Sequence, residues 1–266
     1  MIHLTDVFQD VREAVNEIVN VANNVSPEGF IAYVVGGDYY ESFENTKLLP
    51  YVLQDMSGFR KDLSRQKFYV HYLNRNYKKD GFQYEGEEGI DFLSIELMIY
   101  AHLWQSSYYL KHLVRLTHLA CGKGYEWRLS VEDNIWIILN NEVITPLIEK
   151  GLKLGHLIEE NYYGVLRDSF AHGLYSIDES SRRIDLYSSR ANGPISFEGF
   201  QKKFLYSVIL SQTLFESYRE NQKLMAVFLQ DNHKVITLPD GHRIEVESEI
   251  KVFDDEEYYS FRPVLQ

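Results

Sequence analysis

The segment from Asp91 to Ala120 constrains this chain more than any other. Apolar residues fill so many of its positions that one buried stripe cannot hold them. Read as a single helix capped by Asp91, it belongs at the centre of a bundle. Glu96, His102, Gln105, Lys111, His112 and Arg115 interrupt it, which excludes a membrane span. The expected fold is mainly α: a helical bundle packed around residues 92–120, with two short β-hairpins.

Other segments carry the same helical period. Thr5 or Asp6 can cap a first helix whose Val7, Val11, Ala14, Val15 and Ile18 share a face, ending near Asn23-Asn24. FIAYVV, 30–35, is a strand or a buried helical turn before Gly36-Gly37-Asp38. Ser57 to Lys79 reads as helix, and Lys78 to Gly89 as a glycine-rich linker. Ser130, with Asp133 three residues on, reads as a capping box, and Pro146 ends or kinks the helix that follows. Glu159 to His172 and Ser196 to Gln222 read as further helices. Between them LYSIDESSRRIDLYSS has the alternation of a hairpin, and VITLPDGHRIEVE makes a second around Pro-Asp-Gly. These breaks divide the 266 residues into an N-terminal helical region (1–88), a bundle (89–230) and a C-terminal hairpin with an acidic tail (231–266).

Charge and cysteine content narrow the function classes. With 27 basic and 39 acidic side chains the net charge is −12, so backbone-driven duplex binding is not expected from the whole surface. One local exception is Gly58 to Lys79, with Arg60, Lys61, Arg65, Lys67, Arg75, Lys78 and Lys79 against Asp62. A solvated helix face is the simpler reading and an RNA groove the sharper one. The single cysteine, Cys121, leaves no internal disulfide and no four-thiolate zinc site. The opening MIHLTDVFQD lacks a basic segment followed by an apolar run. No signal peptide is expected, and a reducing cytoplasm is the expected location.

Most catalytic signatures are absent. No phosphate loop, dinucleotide fingerprint, H-E-x-x-H or nucleophile elbow occurs. His112 and His118 are out of step on one helix. His156 with Glu159 and Glu160 reads as a helix-end salt network. No cofactor and no metal are expected.

LRDSFAHG, 166–173, remains. Tyr163, Leu166 and Phe170 fall at helical spacing and form the expected buried stripe. Asp168 and His172 are four apart on another face, where the carboxylate can hold the ring. Arg167 lies about 140° around the helix from His172. Gly173 suits the position after a helix end, which puts His172 among the last carbonyls. A plain C-terminal cap would carry the same letters. The sharper reading is phosphodiester chemistry: Arg167 holds phosphate oxygens, His172 moves a proton at the 2′-OH or the leaving oxygen, and Asp168 orients the ring.

LRDSFAHG resembles the signature of the HEPN superfamily (higher eukaryotes and prokaryotes nucleotide-binding): Arg167, polar Asp168, a three-residue spacer, His172 and Gly173. The resemblance spans about residues 89–222. It implies a bundle of four or five helices, and a metal-independent endoribonuclease whose catalytic residues are Arg167, His172 and Asp168. It also implies a homodimer in which both copies of Arg167 and His172 line one composite cleft, so that the two need not share a helix face. Such nucleases serve as toxins or abortive-infection, anti-phage effectors, which brings in RNA as substrate and an antitoxin or defence-system protein as partner, with no membrane involved. Two departures stand out. Tyr175 is one residue out of step with the tyrosine that is adenylylated in a toxin subgroup, and Asp168 occupies a position where asparagine is common. A catalytically inactive interaction module and a nucleotide sensor remain as alternatives.

Overall fold

The computed structural model describes residues 3–39, 51–53, 56–77, 86–131, 134–231, 234–253 and 256–264. The protein is mainly α, with small antiparallel sheets at its edges.

Helix α1 spans Leu4–Val25. It starts ahead of the expected Thr5/Asp6 cap, and no side chain caps it. Its Val7, Val11, Ala14, Val15, Ile18 and Ala22 are buried. FIAYVV takes the helical alternative: α2 spans Pro27–Val34, with Pro27 in its first turn. Gly37–Tyr39 (β1) pairs with Tyr51–Leu53 (β2), so Gly37 and Asp38 belong to a strand. Helix α3 spans Met56–Asn76. Of the expected linker, residues 78–85 lie outside the described residues. Residues 86–89 already belong to α4, Gly86–Leu103, which begins before Asp91.

The long central helix is two helices. After α4 the chain turns at Trp104-Gln105 and restarts as α5, Ser107–Ala120. Ser106 makes the break: its Oγ accepts the Tyr109 N–H at 3.4 Å, a side-chain cap that competes with helix continuation. Fully buried Trp104 donates Nε1–H to Ser207 Oγ at 3.1 Å and ties the corner to the late long helix.

The next helix is capped by Asn134, whose Oδ1 accepts the Ile137 N–H at 3.3 Å, and not by Ser130. Asp133, the other half of the expected capping box, lies outside the described residues. Helix α6 (Ile135–Ile138) widens into a π-helical stretch, Leu139–Ile144, and returns as α7 (Thr145–Glu149). The Thr145 N–H bonds to the Asn140 carbonyl, five residues back. The wider turn accommodates Pro146, which has no N–H and whose ring crowds an ordinary preceding turn.

The expected helix 159–172 is also divided. Helix α8 spans Lys153–Asn161 and α9 spans Gly164–Ala171. Tyr175–Asp178 (β3) and Arg183–Leu186 (β4) form the first expected hairpin, and Ile195–Ser196 (β5) adds a third strand. Helix α10 spans Phe197–Asp231, past the expected end at Gln222. The second hairpin is Lys234–Thr237 (β6) with Arg243–Phe253 (β7), and Glu256–Pro263 (β8) pairs along β7. The acidic tail is therefore largely sheet.

The main hydrophobic core joins α1 to α5, α8 and α10. Described residues of α1, α2 and α3 share this core with α4, α5, α8, α9 and α10. A second core gathers Ala32, Val35, Trp127, Ala226, Leu229 and the inner faces of β6–β8. Among the described residues no helix is long and apolar enough to cross a membrane.

Candidate functional site

The break between α8 and α9 builds the site. Tyr162 and Tyr163 are extended (ψ 126° and 92°), and the Tyr100 hydroxyl holds them open. It donates to the Asn161 carbonyl at 3.0 Å and accepts the Tyr163 N–H at 2.8 Å, satisfying two backbone groups that the interrupted helix leaves free. The chain then restarts as α9, with no side chain capping its first turn. The buried stripe of α9 is Leu166 and Ser169, continuing from Tyr162. Tyr163 and Phe170, expected to be buried, are half-buried.

At its other end α9 closes as anticipated. Gly173 takes φ 65°, the Leu174 N–H reaches the Ser169 carbonyl at 2.7 Å and the Gly173 N–H reaches Phe170 at 3.2 Å. This is a Schellman end with His172 at the cap, and the His172 side chain is exposed. The His172 backbone N–H bonds to the Asp168 carbonyl at 3.1 Å.

The Asp168 carboxylate turns to cations and not to the His172 ring. One oxygen accepts Arg167 Nε at 3.0 Å and also the Arg167 Nη2 group. The other accepts Arg190 Nη2 at 2.7 Å. Burial pushes this carboxyl up, but the bonds and charge of the two guanidiniums outweigh it and hold the group below its ordinary value. Arg167 is mostly buried, with its Nη1 enclosed and bonded to nothing, whereas Arg190 is largely exposed.

These residues stand on the wall of a cleft of about 720 Å³. Arg167, Asp168 and Arg190 line one side, with Gly164 and Val165 from the first turn of α9. Trp136 and Tyr162 line another, their rings stacked at 6.0 Å and 15°. Tyr162 is wedged between Trp136 and Trp104, and burial raises its hydroxyl pKa. Asn134, Asn140, Asn192 and Glu159 supply the remaining polar wall. His172 does not line this cleft; it stands at the opposite end of α9.

The structure thus brings Arg167 and Asp168 together and leaves His172 apart from both side chains. Sequence reading missed Arg190, Asn192, Trp136 and Tyr162. A signal existed for Trp136: IWII, 135–138, is four apolar residues in a row, and one helix face cannot bury them all. Arg190 gave no signal, because only the fold returns the loop after β4 to α9. The basic residues of α3 described here, Arg60, Lys61, Arg65, Lys67 and Arg75, are exposed, and Arg65 donates to Ser106 Oγ at 3.2 Å. Lys78 and Lys79 lie outside the described residues. Among the described residues no group of three or more His, Cys, Asp or Glu is placed to hold a metal ion. No family model, curated protein or solved structure matches the chain.

Proposed function

We propose that the protein is a metal-independent endoribonuclease of HEPN type, working as a homodimer. One observation carries the reading: Arg167 is clamped in place by Asp168 on the wall of an open cleft, while His172 stands exposed at the end of the same short helix. A guanidinium fixed by a neighbouring carboxylate loses little freedom on binding, and Nη1, which bonds nothing in the protein, keeps its donors for a phosphate oxygen. An exposed imidazole suits proton transfer at the 2′-OH or the leaving oxygen. In one chain Arg167 and His172 are separated, and a two-fold dimer supplies the missing partner by bringing a second copy of α9 to the first. Asp168 acts here as the positioning group for Arg167, a change from the expected role of orienting His172. Toxin or anti-phage effector action, under an antitoxin or defence-system partner, fits such an activity.

The deciding experiment is cleavage of single-stranded RNA by purified protein. His172→Ala and Arg167→Ala each lower the rate by about 10²-fold or more, with unchanged circular dichroism and oligomeric state. EDTA leaves the wild-type rate intact. Wild-type cleavage by His172→Ala overturns the reading. The alternative, a catalytically inactive interaction or nucleotide-sensing module, draws on the absence of a bond between Asp168 and the His172 ring. It is favoured if the wild type binds RNA or nucleotide without turnover.

A further inference from the structure

The geometry points to a nucleotide subsite in the cleft beside the motif: a base stacks on Trp136, and its phosphate sits between the first turn of α9 and Arg190. The identity of the strand rests on the ribonuclease reading above; the subsite itself rests on other observations.

The first is the shelf. Trp136 is half-exposed, although it lies in a segment of apolar residues. Its ring is held flat against Tyr162, which is buried and backed by Trp104. An exposed indole fixed on a rigid aromatic support offers one open π-face, the feature on which unpaired bases stack irrespective of sequence.

The second is the anion end. Helix α9 begins at Gly164 with no side-chain cap, so the first-turn N–H groups and the positive end of the helix dipole meet the cleft at Gly164 and Val165. The Tyr162 hydroxyl is enclosed at the same end and bonded to nothing. A Cβ on Gly164 would come within 3.0 Å of it, so Gly164 leaves that hydroxyl room. Buried polar atoms are normally satisfied, and here Tyr162 Oη and Arg167 Nη1, both of residues lining the cleft, are not. Arg190 completes the anion end as an exposed cation held to Asp168 by one guanidinium nitrogen. Glu159 and the side chains of Asn134, Asn140 and Asn192 on the same wall can meet base edges and ribose hydroxyls.

The third is distance. Eight helical residues put His172 about 12 Å along α9 from Gly164. A phosphate at the first turn is therefore not the one that His172 of the same protomer acts on. It is a neighbour on the strand, with Arg167 between the two. The subsite then selects the nucleotide flanking the cut.

The test uses the full chain and adenosine 5′-monophosphate as probe. Trp104 and Trp127 are buried, so Trp136 dominates any quenching by an external ligand. The nucleotide is expected to quench tryptophan fluorescence, and Trp136→Leu to abolish the quench. By calorimetry, Trp136→Leu and Arg190→Ala each weaken binding roughly ten-fold or more, while His172→Ala binds like the wild type. Asn140→Ala, which removes a base-edge contact and leaves the shelf, should relax the sequence preference of cleavage in a randomised RNA pool. Millimolar nucleotide without a quench overturns the subsite. So does inorganic phosphate matching the nucleotide in affinity, which would leave an anion site without a shelf. A failed subsite with an inactive His172→Ala leaves the nuclease reading standing. Nucleotide binding with a fully active His172→Ala leaves the subsite and removes the nuclease reading.

Discussion

Two aspartates in this protein are each held between two cations, with tyrosines nearby, yet their surroundings differ. Asp38 accepts Arg115 Nη2 and Lys111 Nζ, both at 2.9 Å, in a region so tightly filled that the gap beside it is only about 20 Å³. His112 lies there inside a cage of Tyr33, Tyr108 and Tyr218, with Nδ1 3.2 Å from the Tyr33 hydroxyl. Arg115 also donates to the Glu126 and Trp127 carbonyls, so Nε and Nη2 both end on the protein itself. Asp168 has the same pair of cations on an open cleft, with Arg190 exposed. The same chemistry is therefore a clasp where it is enclosed, and under the proposal above it is a binding surface where water and ligand can reach it. Residue type alone does not separate the two cases; enclosure and satisfaction do.

The largest expected effect breaks the clasp. Asp38→Ala leaves the Arg115 guanidinium buried without its carboxylate, and losing one partner of a buried pair costs about 3–5 kcal/mol. For a chain of this length that lowers Tm by on the order of 10 °C, readable by scanning calorimetry. Adding Arg115→Met should recover part of the loss, because the uncompensated charge goes with it. A shift of only a degree or two in Asp38→Ala would mean that the network is solvated and the contrast with Asp168 is false.

Little of this distinction was legible in the sequence. The helical character, Gly173 at the end of α9 and both hairpins follow from local periods and turn residues, and local signals act over a few residues. The two broken helices were hidden because their causes are distant. Ser106 ends one helix with its own hydroxyl while Trp104 anchors to Ser207, about a hundred residues later. Tyr100, on α4, props open the gap between α8 and α9. Asp38 gives no signal in the sequence because its cations lie on α5. Asp168 was assigned to His172 because a four-residue spacing is visible in a sequence, whereas a loop bringing Arg190 alongside is not.

His112 gives the next effect, through pH. Burial first, then the Arg115 and Lys111 charges, push its pKa down to about 3. In the unfolded chain the group titrates near 6.5, so between these values the unfolded state binds the extra proton. Stability is therefore complete above about pH 6.5 and falls as the pH drops towards 3. This one group contributes about 2 kcal/mol of loss between pH 6.5 and 5. His112→Phe removes that slope. Denaturant titrations of both proteins across this range should diverge on acidification, by more than any change made by His172→Phe. Parallel curves would show that the tyrosine cage admits a charged ring.

Asp168 should give the smallest effect on stability and a clear one on function. Its pairs are half-open to water, where ion pairs are worth about 1 kcal/mol or less, so Asp168→Asn should move Tm by no more than a few degrees. The carboxyl is held below its usual value, so its small contribution is present above the ordinary carboxylate range and is lost as pH falls through the folded pKa. What changes is order. An amide can still accept from one guanidinium nitrogen, but it no longer offsets the charges of Arg167 and Arg190, which face each other across that position. RNA cleavage by Asp168→Asn should fall by roughly ten-fold or more through loss of Arg167 placement, with the thermal transition nearly unmoved. An Asp168→Asn protein that unfolds as readily as Asp38→Ala would make the open aspartate a second clasp, and the cleft beside it only the gap between two helices.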